Sequence, residues 1–246
     1  MNGKHEVDRV CKMKWRGLED KRDADAGMPL SARLQERREL IARYVPPETQ
    51  AAARRTVQEI SDSGIAGRTL KPGSLAPAFE LPDHGGKPLS SAALLSSGPL
   101  ALIFFRGRWC PFCVAQLESM NEVVAEISAM GGHLAAISPQ TVHQSSLMHD
   151  QHGLRFPLLS DSGNNLARQF GLVYRVPEFQ QSIYRKSFTN LPFINGEDSW
   201  ELPIPAAFVI QPDGHISWSH ARADYTERPE PAEILAALAA ARPQNP

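Results

Sequence analysis

Cysteine is scarce: the 246-residue chain holds three, Cys11, Cys110 and Cys113. So few thiols exclude a disulfide-stapled secreted scaffold and suit a reducing compartment. Long apolar runs are missing as well. No segment approaches the roughly 20 apolar residues of a membrane span, and the charged N-terminus lacks the apolar centre of a secretory signal. A cytoplasmic setting without a membrane partner is the expectation. Neither sign of charge dominates, with 26 Lys and Arg against 27 Asp and Glu, so nothing points to nucleic acid or an acidic surface as a partner. Nucleophile-elbow and phosphate-loop patterns are absent, which leaves hydrolase and nucleotide chemistry without support.

What is present is a pair of thiols in one informative place, Phe104-Phe105-Arg106-Gly107-Arg108-Trp109-Cys110-Pro111-Phe112-Cys113. Pro99 to Phe105 is a nearly continuous apolar run, the pattern of a strand buried on both faces. Beyond it Val114, Leu117, Met120, Val124 and Ile127 recur every three or four residues up to Gly131-Gly132, which predicts a helix. Pro111 suits the first turn, where its missing N–H costs nothing. The thiols therefore fall at a helix N-terminus, where unpaired N–H groups and the positive end of the macrodipole favour thiolate. Arg106 and Arg108 add to this if they point inward. One thiol of such a pair commonly drops well below the free value of about 8.5, and its neighbour is close enough to close a disulfide.

Zinc binding would need two further ligands. The remaining cysteine is Cys11, and the eight histidines make no finger-like spacing with the pair. His149 and His152 share a helix face but are too few for a metal site, so no metal and no cofactor is expected. A structural disulfide across so small a loop would stabilise little. Redox chemistry is the favoured reading, and Cys11, in a polar lead, reads as an incidental thiol.

Residues 1–30 are charge-dense and read as a disordered lead, with Met28-Pro29-Leu30-Ser31 as a plausible true start. Residues 31–69 form an N-terminal helical arm, Ser31 to Tyr44 and Pro47 to Ser63, broken by Pro46-Pro47. Its narrow apolar stripes leave three roles open: an outer arm, a lid or a homodimer contact. From about Leu70 to residue 242 the texture alternates between strands and helices, as in a three-layer α/β sandwich. Strands are expected at His133 to Ser138, Phe156 to Leu159, Ala206 to Ile210 and His215 to Ser219, with a turn at Pro212-Asp213-Gly214 and a closing helix from Pro231 to Ala241. The insert 174–202 is long for a compact domain and is either functional or an embellishment.

Taken together, Trp109-Cys110-x-x-Cys113 at a strand-to-helix junction, Ile204-Pro205 heading a late strand, the Pro-Asp-Gly hairpin and the C-terminal helix look like the thioredoxin fold. The opening Gly73-Ser74-Leu75-Ala76-Pro77-Ala78-Phe79-Glu80-Leu81-Pro82 resembles the peroxiredoxin branch, the alkyl hydroperoxide reductase and thiol-specific antioxidant family. Ser138-Pro139-Gln140, Leu159-Ser160-Asp161 and Leu202-Pro203-Ile204-Pro205-Ala206 are similar to peroxiredoxin-like proteins with a thioredoxin-type Cys-x-x-Cys. The resemblance implies a thiol peroxidase that reduces hydrogen peroxide or organic hydroperoxides and is regenerated by thioredoxin or a similar dithiol.

The family pattern Pro-x-x-x-Thr/Ser-x-x-Cys puts Cys113 at the peroxidatic position, with Cys110 in place of the hydroxyl and Arg106 in place of the proline. The resemblance also implies a late arginine completing the site, for which Arg222 is the candidate. Thioredoxin logic assigns the reverse roles: Cys110 as exposed nucleophile, Cys113 as buried resolver, and Pro205 as a cis proline against the disulfide. The alternatives are thus a thiol-disulfide oxidoreductase with little peroxidase activity, or a non-catalytic redox sensor.

Overall fold

A computed structural model describes residues 25, 27–187 and 189–241. The expected lead falls mostly outside them, but Leu30 at its end is packed, 1% exposed. In chain order, α1 (Leu30–Tyr44), α2 (Pro47–Asp62) and the short α3 (Ile65–Arg68) precede a hairpin of β1 (Glu80–Pro82) and β2 (Pro88–Ser90), then α4 (Ser91–Leu95). The body follows with β3 (Leu100–Phe104), α5 (Pro111–Glu122), α6 (Val124–Ala129), β4 (His133–Ser138), α7 (Val142–His152) and β5 (Leu158–Ser160). A 3₁₀ turn at Ser162–Asn164 leads into α8 (Asn165–Gln169). Next, β6 (Val173–Arg175) and β7 (Glu201–Pro203) bracket α9 (Glu178–Lys186) and α10 (Leu191–Asn195), and β8 (Ala206–Ile210), β9 (Ile216–Ala221) and α11 (Pro231–Ala240) close the fold.

The main sheet has the order β5-β4-β3-β8-β9, parallel across β5, β4 and β3 and antiparallel from β3 to β8 and β9. All five residues of β3 are buried, as its unbroken apolar run requires of a strand with both faces covered. Alternation divides them: Ala101 and Ile103 join a core with Leu30, Leu34, Phe112, Leu117, Met120, Ile234 and Leu238, while Leu100, Leu102 and Phe104 join another with Ile60, Ile65, Phe170 and Phe208. Helices therefore cover both faces, giving the thioredoxin-like three-layer sandwich expected. Among the described residues no helix is long and apolar enough to cross a membrane.

The single helix expected after the cysteines is two, because Val123 leaves helical geometry at φ −100° and ψ 4°. Val123 and Val124 are β-branched and lose side-chain freedom in a helix, and Arg155 helps hold the break: it donates to the Asn121 carbonyl, which a continuous helix would use, and its own N–H reaches Asn121 Oδ1 at 2.8 Å. The arm is held more firmly than its apolar stripes suggest. Arg33, 1% exposed, forms two hydrogen bonds to Glu122 at the end of α5, at 2.7 and 2.8 Å. Glu230, the N-cap of α11, accepts from the Leu30 and Ser31 N–H groups at 2.9 and 2.7 Å.

The insert is an ordered excursion from the sheet. β6 and β7 pair antiparallel, Tyr174 opposite Leu202, and α9 lies against α2, where the Thr56 hydroxyl meets Gln180 Oε1 at 3.3 Å and Arg55 stacks over Phe179 at 4.2 Å. One expectation is overturned: every peptide bond among the described residues is trans, that before Pro205 included. Only Ile204 and Pro205 separate β7 from β8, and the Ile204 N–H holds the Leu172 carbonyl at 2.8 Å, so the chain passes extended from one strand to the next.

Candidate active site

β3 delivers the chain to Phe105, whose N–H still bonds the Ile137 carbonyl at 2.9 Å, and the next five residues turn it into α5. Gly107 makes the turn possible. Its φ is 141°, and a Cβ there would stand 2.7 Å from Trp109 Nε1, so both backbone and space demand glycine. Cys110 is the N-cap and Pro111 the first helical residue, as the sequence predicts. The Cys113 N–H reaches back to the Cys110 carbonyl at 3.0 Å. Both cysteines are free thiols, 1% and 0% exposed.

Two guanidiniums converge on the sulfurs. Arg228 Nη2 donates to Cys113 Sγ at 3.3 Å, the Arg106 backbone N–H donates to the same atom at 3.5 Å, and Arg106 Nη1 approaches Cys110 Sγ at 3.9 Å. Arg106 is 2% exposed and boxed by aromatic rings. Its Nη2 donates to Tyr184 Oη at 2.9 Å, and its guanidinium carbon lies 3.9 Å from the Tyr225 ring centre and 4.6 Å from that of Trp109. Trp109 in turn packs edge-on to Tyr184 with centroids 5.4 Å apart.

This setting separates the two thiols electrostatically. Burial pushes the Cys113 thiol up, but a hydrogen bond from Cys110, the charges of Arg228 and Arg106 and the Arg106 N–H outweigh it and bring it down to about 5. Cys110 moves the other way: burial, its hydrogen bond to Cys113 and the charge there hold its thiol well above the ordinary value. Burial works against the charge on Arg106, yet the surrounding phenols and Cys110 keep it above its usual value. Burial raises Tyr174 and Tyr184, and takes Tyr225 to about 12.

Cys110, Cys113, Arg106 and Trp109 thus come together as the sequence suggests. Arg108 does not join them. It turns to α7, its N–H on Gln140 Oε1 at 3.0 Å and its Nη1 3.3 Å from Gln144 Oε1, and braces the turn from outside. Arg222 is misassigned: it faces Glu227 at 3.8 Å with its side chain 59% exposed. It follows directly on β9 at the sheet's outer end, whereas the next segment folds back, the Arg228 Nη1 on the Tyr225 carbonyl at 2.6 Å, and carries Arg228 to the sulfur. Pro205 is buried at the head of β8. His149 stacks on His84 at 3.5 Å while His152 faces Glu118 at 2.9 Å, so those two histidines do not converge. Sequence reasoning missed Arg228, Tyr174, Tyr184 and Tyr225. The one available signal was the long aromatic-bearing insert, which supplies Tyr174 and Tyr184.

Comparison with known proteins agrees with the fold. The AhpC/TSA family model matches residues 72–219. Rv1608c of Mycobacterium tuberculosis (strain ATCC 25618 / H37Rv) is 30% identical over 103 residues, 42% of this chain and 67% of that protein. Peroxiredoxin Bcp of Escherichia coli (strain K12) is 29% identical over 104 residues, 42% of this chain and 65% of that protein. Among solved structures, peroxidoxin BcpB from Mycobacterium tuberculosis shares the fold with a TM-score of 0.55 at 24% identity, over 71% of this chain and 99% of that one. The family match ends before Arg228 and begins after the arm.

Proposed function

The chain belongs to the AhpC/TSA family and is a thiol peroxidase, and we propose that Cys113 is the residue that attacks the peroxide and Cys110 the one that resolves it. The Cys113 sulfur forms a bond to one peroxide oxygen as the O–O bond breaks. The leaving oxygen departs as water or an alcohol after taking a proton, and Cys113 becomes a sulfenic acid. Arg106 and Arg228 supply N–H donors where charge gathers on that oxygen. The Cys110 sulfur then displaces water from the sulfenic acid, closing a Cys110–Cys113 disulfide. Thioredoxin or a similar dithiol returns two electrons and two protons by exchange, in the reducing cytoplasm.

The observation that carries this assignment is where the donors fall: Cys113 Sγ takes Arg228 Nη2 at 3.3 Å and the Arg106 N–H at 3.5 Å, whereas Cys110 Sγ has Arg106 Nη1 at 3.9 Å, and the two thiols shift in opposite directions to match. Cys110 stays protonated while Cys113 is anionic. Once Cys113 is oxidised its charge is gone, and Arg106 is free to favour the Cys110 thiolate. A thioredoxin-like nucleophile at Cys110 would need an exposed, low-pKa sulfur, and Cys110 is neither. The departures from the family pattern are functional replacements: the Cys110 S–H stands in for the missing hydroxyl, and Arg106 brings a cation in place of the proline. Peroxide turnover coupled to thioredoxin, thioredoxin reductase and NADPH tests the reading. NADPH consumption that saturates with hydrogen peroxide and vanishes in Cys113→Ser supports it; turnover that survives Cys113→Ser overturns it.

A further inference from the structure

Arg106 and Arg228 have no carboxylate within ion-pair distance among the described residues. The nearby acids are turned elsewhere: Glu227 faces Arg222 at 3.8 Å, and Asp224 Oδ1 accepts from the Thr226 N–H at 2.8 Å. The phenols around Arg106 do not supply the missing charge, since burial raises all three and keeps them protonated near neutral pH. One anion therefore faces two guanidiniums, and it is the Cys113 thiolate. Even so, three buried N–H groups of the site, Arg106 Nε, Arg228 Nε and Trp109 Nε1, have no acceptor among the described residues. Unmet buried donors are costly, and a buried cation that loses its counter-charge is costlier.

Closing the disulfide sharpens the imbalance. The pair gives up two electrons and its thiol proton, the thiolate charge disappears, and two guanidiniums are left facing a neutral S–S bond. We propose that the disulfide form takes up one small inorganic anion, of the size of chloride, among Arg106, Arg228 and Trp109, and releases it on reduction. This rests on the reading that Cys110 and Cys113 form the disulfide. An anion bound by the oxidised form alone stabilises that form by mass action, so anion concentration sets how readily the enzyme is reduced.

The test equilibrates the full-length protein with dithiothreitol redox buffers at fixed ionic strength while chloride replaces gluconate, a much larger organic anion. Mass-tag alkylation gives the disulfide fraction. Above the dissociation constant, each tenfold rise in chloride shifts the wild-type equilibrium about tenfold toward disulfide, about 30 mV for a two-electron couple. Arg106→Met and Arg228→Met flatten the dependence, and Arg228→Lys restores part of it. A wild-type disulfide fraction that ignores chloride overturns the proposal alone. Failure to form any Cys110–Cys113 disulfide, read as no loss of two hydrogens by mass, overturns the parent reading with it.

Discussion

The Tyr184 hydroxyl accepts a hydrogen bond from Arg106 Nη2 at 2.9 Å across 78 residues of sequence. The insert is thereby part of the site: α9 hangs from the β6–β7 ribbon, is steadied by α2, and sets the guanidinium that faces the sulfurs. Tyr184→Phe keeps the ring against Trp109 and removes only that acceptor. The expected outcome is a higher Cys113 pKa and a fall in kcat/KM for hydrogen peroxide of about tenfold, the lower end of what a hydrogen bond to a charged group is worth. The pH dependence of iodoacetamide alkylation reads the shift, and an unchanged thermal unfolding midpoint separates it from a loss of structure, which would also carry the inflection toward that of a free cysteine.

The thiolate itself has a pH signature. With the Cys113 pKa near 5 against about 8.5 for a free cysteine, peroxide reactivity should be flat from pH 6 to 8 and fall below about pH 5. The folded-state value is depressed, so the stability this group contributes is fully present above the unfolded pKa and lost as pH falls through the folded one. Arg228→Met should move the inflection upward in stopped-flow oxidation. An unchanged inflection would remove Arg228 from the set of groups that hold the charge.

Serine substitutions should separate the two cysteines. Cys113→Ser abolishes peroxide consumption. Cys110→Ser restores the hydroxyl that the family pattern places there and keeps a hydrogen bond to Cys113, so it should give a single turnover to a stable sulfenic acid, trapped by dimedone and read by mass spectrometry, with no disulfide. A dimedone adduct on Cys110 in the Cys113→Ser protein would reverse the assignment.

Arg33→Ala strips a side chain that is 1% exposed from its two bonds to Glu122, whose own side chain is 42% exposed. Since the carboxylate keeps access to water, the cost should sit at the lower end for a broken buried pair, about 3 kcal/mol. Thermal unfolding should drop by roughly 2–4 °C per kcal/mol for a domain of this size. Little change in melting temperature would mean that the arm is not held by this pair.

Much of this site was legible in the sequence. The apolar run of β3, Pro111 at the helix start and the three-residue spacing of the cysteines are local signals, and each placed its residue correctly. The cations were harder. Arg106 could be suspected from its neighbourhood, but whether Arg222 or Arg228 reaches Cys113 depends on how the chain turns back after β9, and that turn is set by Arg228's own bonds to the Tyr225 and Glu227 carbonyls. Arg108, two residues from Arg106, is held elsewhere, by Gln140 and Gln144. Tyr184 and Tyr225 meet Arg106 only through tertiary packing, which no periodicity records. The break at Val123 likewise involves a distant side chain, Arg155, besides the β-branched Val123-Val124 pair.

The Glu230 carboxylate that anchors α1 has a consequence for how the molecule is made. On a ribosome the helix with Leu30 and Leu34 emerges well before the group that receives its leading N–H groups, which lies 200 residues downstream. At 5–20 residues per second that is a wait of roughly 10–40 s. Before it ends, the apolar stripe of α1 can meet α5 and the Arg33–Glu122 pair can form, but the part of its seat made by Ile234 and Leu238 is missing. The seat of α1 is therefore completed only when α11 is made, and until then the nascent protein carries a helix whose apolar face is covered from one side alone.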